Sequence, residues 1–299
     1  QIYDTARKLT AGNKPRAALV VPSDVTMLKA FSQAIEAGFI DPTLIGDEEL
    51  ARKKAAEHKI NLDKIKFIDI REPDISVATA ARMASLDEID LIIKGRIPTV
   101  GFLQIIFEKD VSFRRKGKII SHVAVIKPDL YDKLLFLTDA GVNEEPDLKC
   151  KLALIDNLVN FARSIGVTMP RVAILAAVEV VYPQMPVTMD AAIISKMAER
   201  KQIRGAYVDG PLSFDVAVDM FAAHSKGVKT SPVAGQADAL LAPNIETANG
   251  IYEAMSLYGN ARLGGILYGG VVPVALASRS DSVSNRLNSI VLGVLAANK

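Results

Sequence analysis

The chain has 299 residues, a formal net charge of +2, 49% hydrophobic and 23% charged residues. That is enough chain for two globular cores and too little charge imbalance to argue for nucleic acid or an anionic membrane surface. One cysteine excludes an internal disulfide and any cysteine-rich zinc or iron–sulfur site, and fits a reducing cytosol. No signal peptide and no apolar run of bilayer length occurs, so a cytoplasmic protein is expected. The chain opens on Gln1 rather than Met, which leaves a longer polypeptide open.

The opening helix, Ile2 to Leu9, leads through Gly12 and Pro15 into an apolar strand from Arg16. Pro22, Ser23 and Asp24 follow its end, then an amphipathic helix to Ala37 stopped by Gly38. Strand 43–46, a helix capped by Asp47, strand 67–70, a helix starting at Pro73, strand 90–95 and a helix from about Pro98 to Glu108 continue the alternation. Strands alternating with helices at this spacing predict βαβ units and a mainly parallel sheet with both faces covered.

From Lys118 the rhythm changes. Residues 119–127 and 134–140 are β-rich and separated by a segment too short for a crossover helix, which predicts an antiparallel pair. A long helix from Asp147 to Ile165 follows, and then the alternation resumes. It runs strand 171–177, helix 188–200, strand 205–209, helix 214–225, strand 239–243 and helix 245–262. The last stretch reads strand, Gly269-Gly270 loop, strand, polar turn Ser278–Ser282, and an amphipathic helix carrying Val283, Leu287, Ile290, Val291, Val294 and Leu295 on one face. The expected division is a first α/β domain of residues 1–138 plus 270–299 and a second of 139–269.

Polar residues collect at strand ends: Ser23-Asp24, Lys94-Gly95, Thr138-Asp139 with Asn143, Glu179, Asp209-Gly210-Pro211 and Ser278-Arg279. In open α/β sheets that edge binds ligands, which argues for an enzyme with its site in a cleft between two such domains. Ser278–Ser282 alone is an ordinary helix cap through Asp281 or Ser282, with Arg279 in solvent. At a helix N-terminus, however, free amides and a guanidinium fork also suit a phosphate.

Neither Gly-x-Gly-x-x-Gly nor a P-loop occurs, and His58, His122 and His224 have no metal-ligand spacing, so no metal site is expected. His122 reads as a satisfied core histidine, with a site-facing position as the other reading. Cys150 starts a helix between Lys149 and Lys151, which would lower its pKa, but no base accompanies it and a catalytic role is rejected. Asp215 and Asp219 stand at i, i+4, where a hard cation is conceivable, although loop organisation is the better reading.

The stretches IKG (93–95), LTDAGVNEEPDL (137–148), AAVEVVYPQMPVTMDAA (176–192), GAYVDGPLSFDVAV (205–218), ADALLAPNIETAN (237–249) and ASRSDSVSNRLNSI (277–290) span almost the whole chain. In order and wording they resemble the phosphate acetyl/butyryl transferase family, in its butyryl-type branch. The resemblance implies two α/β domains of the isocitrate/isopropylmalate dehydrogenase-like kind and a homodimer or larger assembly. It implies reversible transfer between acyl-CoA and inorganic phosphate, by direct thiolate attack in a ternary complex. Coenzyme A is then a substrate, and no tightly bound cofactor is expected.

Carried over by position, Ser278 would orient the CoA sulfur and Arg279 would clamp phosphate. Lys94, Gly95, Asn143, Asp209, Gly210, Pro211 and Ser282 would contact substrate. A thiol of pKa about 8.5 is only partly ionised at neutral pH, so a base or positive surroundings should help. The acetyl-type branch has an aspartate at the position of Asn285, which cannot accept a proton, and Asp281 is the substitute candidate. Gln104 and the Thr247–Gly250 segment also depart from the family pattern. Two rivals remain: a metal- and NAD-dependent dehydrogenase of related architecture, and a non-catalytic CoA-binding subunit.

Overall fold

The computed structural model describes residues 2–297. In chain order its elements are α1 (Ile2–Thr10), β1 (Arg16–Val20), α2 (Val25–Glu36), β2 (Asp41–Gly46), α3 (Glu48–Glu57), β3 (Lys66–Asp69), α4 (Pro73–Ser85), β4 (Leu91–Lys94) and α5 (Thr99–Phe107). Then come β5 (Ser121–Lys127), β6 (Leu135–Thr138), α6 (Leu148–Ser164), β7 (Arg171–Leu175), α7 (Pro186–Glu199), β8 (Tyr207–Leu212), α8 (Phe214–Val218) and α9 (Met220–Ser225). The chain closes with β9 (Ala239–Leu241), α10 (Ile245–Leu257), β10 (Arg262–Tyr268), β11 (Val274–Ala275) and α11 (Val283–Ala297). These elements form two compact units, Gln1–Ile120 with Leu263–Lys299, and Ser121–Arg262.

In the first unit the strands lie in the order β3-β2-β1-β4-β11-β10. All neighbours are parallel except the hairpin pair β10 and β11. The order follows from burial. Every residue of β4 is buried, whereas β3 has exposed ends and sits at the edge. Helix α11 packs on α2, α1, β4 and β11. Gly293 makes that contact close, since a Cβ there would stand 2.6 Å from Leu91 Cδ1. Gly95 is fixed by an even tighter approach: a Cβ would lie 2.2 Å from the Val20 carbonyl oxygen and 2.3 Å from that of Val21. Glycine is required there so that the backbone leaving β4 can pass close to the carbonyls at the end of β1.

The second unit runs β5-β6-β9-β7-β8, with β5 and β6 antiparallel as their short connection demands and the other neighbours parallel. One device recurs in both units. The Arg16 amide donates to Asp90, just before β4, at 2.8 Å, and the Arg171 amide donates to Asp238, just before β9, at 2.9 Å. Each carboxylate thereby locks the starts of two neighbouring parallel strands in register.

Two expected helices are corrected. The predicted helix 245–262 ends at Leu257, and Arg262 already begins β10; the chain turns at Gly259 and Asn260, the latter at φ 44°. The predicted helix 214–225 is two helices. Asp219 leaves the helical region and its side chain accepts from the Ala222 amide, capping α9.

Candidate active site

Six of the sequence candidates lie in the first unit: Lys94, Gly95, Ser278, Arg279, Asp281 and Ser282. β11 and β4 are parallel neighbours with Ala275 opposite Ile93, so the chain leaving β11 passes the level of Lys94 before forming the turn Ser278–Ser282. The turn closes on itself: the Ser278 amide donates to Asp281 Oδ2 at 2.6 Å, and the Asp281 amide donates to the Ser278 carbonyl at 3.2 Å. Ser282 then caps α11, its Oγ accepting from the Asn285 amide at 3.2 Å. Of the two possible caps, Ser282 therefore serves the helix, while the buried Asp281 serves the turn.

Beneath the turn lies a residue that the sequence did not single out. Arg286, 4% exposed, donates to the carbonyls of Asp281 (3.2 Å) and Arg279 (3.0 Å) and pairs with Asp24 at 2.9 Å. Asp24 also caps α2 through the Met27 amide at 3.0 Å. Burial opposes its charge, but that amide and the Arg286 guanidinium outweigh it and hold Asp24 below the usual carboxylate range. Arg286 was hidden because its partners come from the far end of the chain and from backbone. The only sequence signal for it is an arginine in the first turn of a helix, where the dipole does not favour a cation.

The Arg279 guanidinium, whose backbone Arg286 holds, is exposed, and among the described residues no hydrogen bond or ion pair engages its side chain. Lys94 is the opposite case: 4% exposed, and among the described residues likewise without a hydrogen bond or ion pair at its ammonium. Burial, then the positive charges of Arg279 and Arg286, bring its pKa down to about 8, with Asp24 opposing. Two further positions are explained locally. Asn285 accepts from the Leu263 amide at 3.1 Å and ties α11 to β10. Gln104 is exposed on α5.

The second unit holds the remaining candidates in two places. Asn143 donates to Asp139 Oδ2 at 2.6 Å; the same buried carboxylate accepts from the amides of His122, Gly141 and Val142. Cys150 Sγ lies 3.6 Å from Asn143 Oδ1, and burial, Asp147 and Asp139 push its pKa up, contrary to the lowering expected from its neighbouring lysines. His122 is buried as expected but not satisfied, since its Nδ1 has no partner among the described residues. Burial lowers its pKa against the pull of Asp139.

Asp209, Gly210 and Pro211 lie within β8 rather than in a loop, because the strand continues to Leu212 past an irregularity in its pairing with β7. Asp209 and Gly210 line a cavity of about 560 Å³ with Ser195, Lys196 and Ser231. Glu179 and Asp215 both approach Ser213 Oγ, which donates its one proton to one of them and accepts from Lys226 at 3.0 Å. Lys226 also reaches Asp215 at 2.9 Å. Asp215 is thus engaged by a lysine, and no group of three or more metal-ligating side chains occurs among the described residues.

A mainly parallel sheet covered by helices defines the class, an α/β protein, and its fold is that of a phosphotransacylase. The structure matches a branched-chain phosphotransacylase from Enterococcus faecalis with a TM-score of 0.80 and 26% identity, over 94% of this chain and 99% of that one. The family profile described as Phosphate acetyl/butaryl transferase matches residues 74–294. Phosphate butyryltransferase from Clostridium acetobutylicum is 41% identical over 97% of this chain and 96% of its own length. Phosphate acetyltransferase from Rhizobium meliloti is 36% identical over 99% and 93%. The chain belongs to the phosphate acetyl/butyryl transferase family, and its chemistry is that of a phosphate acyltransferase.

Proposed function

We propose that this chain moves a short acyl group reversibly between CoA and inorganic phosphate, acyl-CoA plus phosphate giving acyl phosphate plus free CoA. The CoA thiolate attacks the acyl carbonyl directly in a ternary complex, with no acyl-enzyme. One observation carries the reading. At the ends of two neighbouring strands stand an exposed, unengaged Arg279 and a buried, unengaged Lys94, while the nearby Asp24 is already paired with Arg286. Uncompensated cations on a rigid frame suit a phosphate that arrives, or leaves, with its negative charge.

In this reading Arg279 clamps the phosphate and stabilises charge developing on it, and Ser278 orients the CoA sulfur. Asp281, the base candidate from sequence, is engaged by the Ser278 amide and buried. We assign it to holding the turn that presents Ser278 and Arg279. Gly95 lets the strand end carrying Lys94 sit close against β1, and Ser282 contributes at the helix start. Asn143 and the Asp209-Gly210-Pro211 segment are assigned to substrate binding on the second unit. The two units would be the two domains of an isocitrate dehydrogenase-like protein, homodimeric or larger and cytoplasmic, with CoA as substrate and no resident cofactor.

The test is phosphate-dependent release of free thiol from acetyl-, propionyl- and butyryl-CoA. Turnover of at least one is expected. A folded protein that releases thiol from none of them overturns the reading, and tight CoA binding without turnover would turn it into a binding subunit.

A further inference from the structure

The reaction has a proton to place. A thiol with a pKa of about 8.5 is largely protonated at neutral pH, and a protonated sulfur must lose its proton as it bonds to carbon. Besides Asp281, the turn is joined by Arg279, Arg286, Asp24 and Lys94, and the first three of these cannot accept that proton. Arg279 and Arg286 are guanidinium groups that stay charged. Asp24 is held by the Met27 amide and by Arg286, both of which favour its ionised form and make it a poor base. Asp281 is buried and accepts the Ser278 amide at 2.6 Å, so its carboxylate is committed to holding the turn that carries Ser278.

The fourth is Lys94. It closes β4, opposite Val20 on β1, and the adjacent parallel strand β11 delivers Ser278 to the same edge of the sheet. Its side chain is 4% exposed, and among the described residues neither a carboxylate nor a carbonyl holds its nitrogen. The charged groups facing it are Arg279 from the turn, Arg286 from α11 and Asp24 from the loop before α2. The two cations repel a proton on Lys94, and Asp24 is spent on Arg286.

We propose that Lys94 is the catalytic proton acceptor for the CoA thiol. The inference rests on the acyl-transfer reading above. In the direction of acyl-CoA synthesis the neutral Nζ takes the S–H proton, sulfur bonds to the acyl carbon, and the carbon–oxygen bond to phosphate breaks with its electron pair leaving on phosphate. In the reverse direction phosphate oxygen bonds to the acyl carbon, the carbon–sulfur bond breaks, and the Lys94 ammonium returns its proton to the leaving thiolate. Its lowered pKa, about 8, leaves an appreciable neutral fraction at physiological pH and a competent acid below it. A lysine exchanges protons in this role, whereas a lysine that only binds phosphate does not.

The experiment first measures turnover of the unaltered enzyme, whose failure would sink the acyl-transfer reading itself. With turnover in hand, K94R keeps the cation and removes the base, and K94A removes both. Losses in kcat of about 10²–10⁴-fold in both directions are expected for each variant, the range of general acid–base catalysis. CoA affinity should stay within about threefold in both variants, and K94R, which keeps the cation, should keep phosphate affinity as well. Methylamine should rescue K94A in proportion to its free-base concentration, and guanidinium should not. Retention of more than a tenth of kcat by K94R overturns the proposal. So does equal rescue of K94A by guanidinium, or a K94A defect confined to phosphate affinity. Each of those results would make Lys94 a fixed cation.

Discussion

The two units hold a lysine ammonium in opposite circumstances, Lys94 at the end of β4 and Lys226 at the end of α9. Lys226 in the second unit is exposed and surrounded by acceptors, with Asp215, Glu179 and Ser213 all within reach. Hydrogen bonding to Asp215 raises its pKa. Lys94 in the first unit is buried, meets no acceptor among the described residues, and is crowded by two guanidinium groups. The first arrangement fixes a lysine as a charged tether. The second leaves a lysine with reactivity, at a cost in stability. Sequence position alone does not distinguish them; the partners do.

The largest effect expected concerns the frame under the turn. R286A leaves Asp24 partly buried without its cation and frees two carbonyls, so a loss of about 3–5 kcal/mol is expected in urea unfolding. R286K should recover only part of it, because a point charge cannot serve three acceptors from one planar fork. A variant as stable as the parent would show that the turn holds its shape without Arg286.

Next in size is R279A, which removes an exposed side chain that holds nothing in the fold. It should leave the unfolding midpoint in place and lower kcat/KM for acyl transfer by about 10²–10³-fold. A matching loss of stability would mean that Arg279 is structural.

Lys94 itself gives a prediction of opposite sign. Its folded pKa lies below the unfolded value of about 10.4, so the folded state binds fewer protons between about pH 8 and 10.4. Stability should therefore rise with pH across that window, and below pH 8 the charged lysine is a burden on the fold. K94M should be more stable than the parent at pH 7 by about 1–3 kcal/mol, should lose the rise between pH 8 and 10, and should be inactive. Asp24 works in the other direction. Its depressed pKa supplies stability above the unfolded carboxylate value, lost as pH falls through the folded one, so D24N should flatten the acid limb of the unfolding curve. The smallest effect is expected at Lys226. Its contacts are solvent-exposed, and K226A should shift neither the urea midpoint nor kcat measurably.

The strands were legible because their residues are buried on both faces and read as unbroken apolar runs, as in Leu91–Lys94 and Arg171–Leu175. Two helix boundaries were not. Periodicity carries through Tyr258 and Met220 although the backbone turns there, and an aspartate inside a helical pattern looks the same whether it faces solvent or caps a new helix. Ser278 and Arg279 were legible as a polar turn before an amphipathic helix. Arg286 was not, because its three acceptors are a distant carboxylate and two carbonyls. The isolation of Lys94 was equally invisible, since a sequence names the charges present and not which of them are already taken.

The division of the chain also bears on synthesis at the ribosome. The second unit is one continuous stretch, Ser121–Arg262, while the first is completed only by the segment from Leu263 onward. A nascent chain can therefore finish the second unit while β4 still waits for β11 and for α11, which cover its apolar side chains. The turn bearing Ser278 and Arg279 is made in that last segment. A chain halted or clipped before it would carry a complete second unit, an uncovered β4, and neither Ser278 nor Arg279.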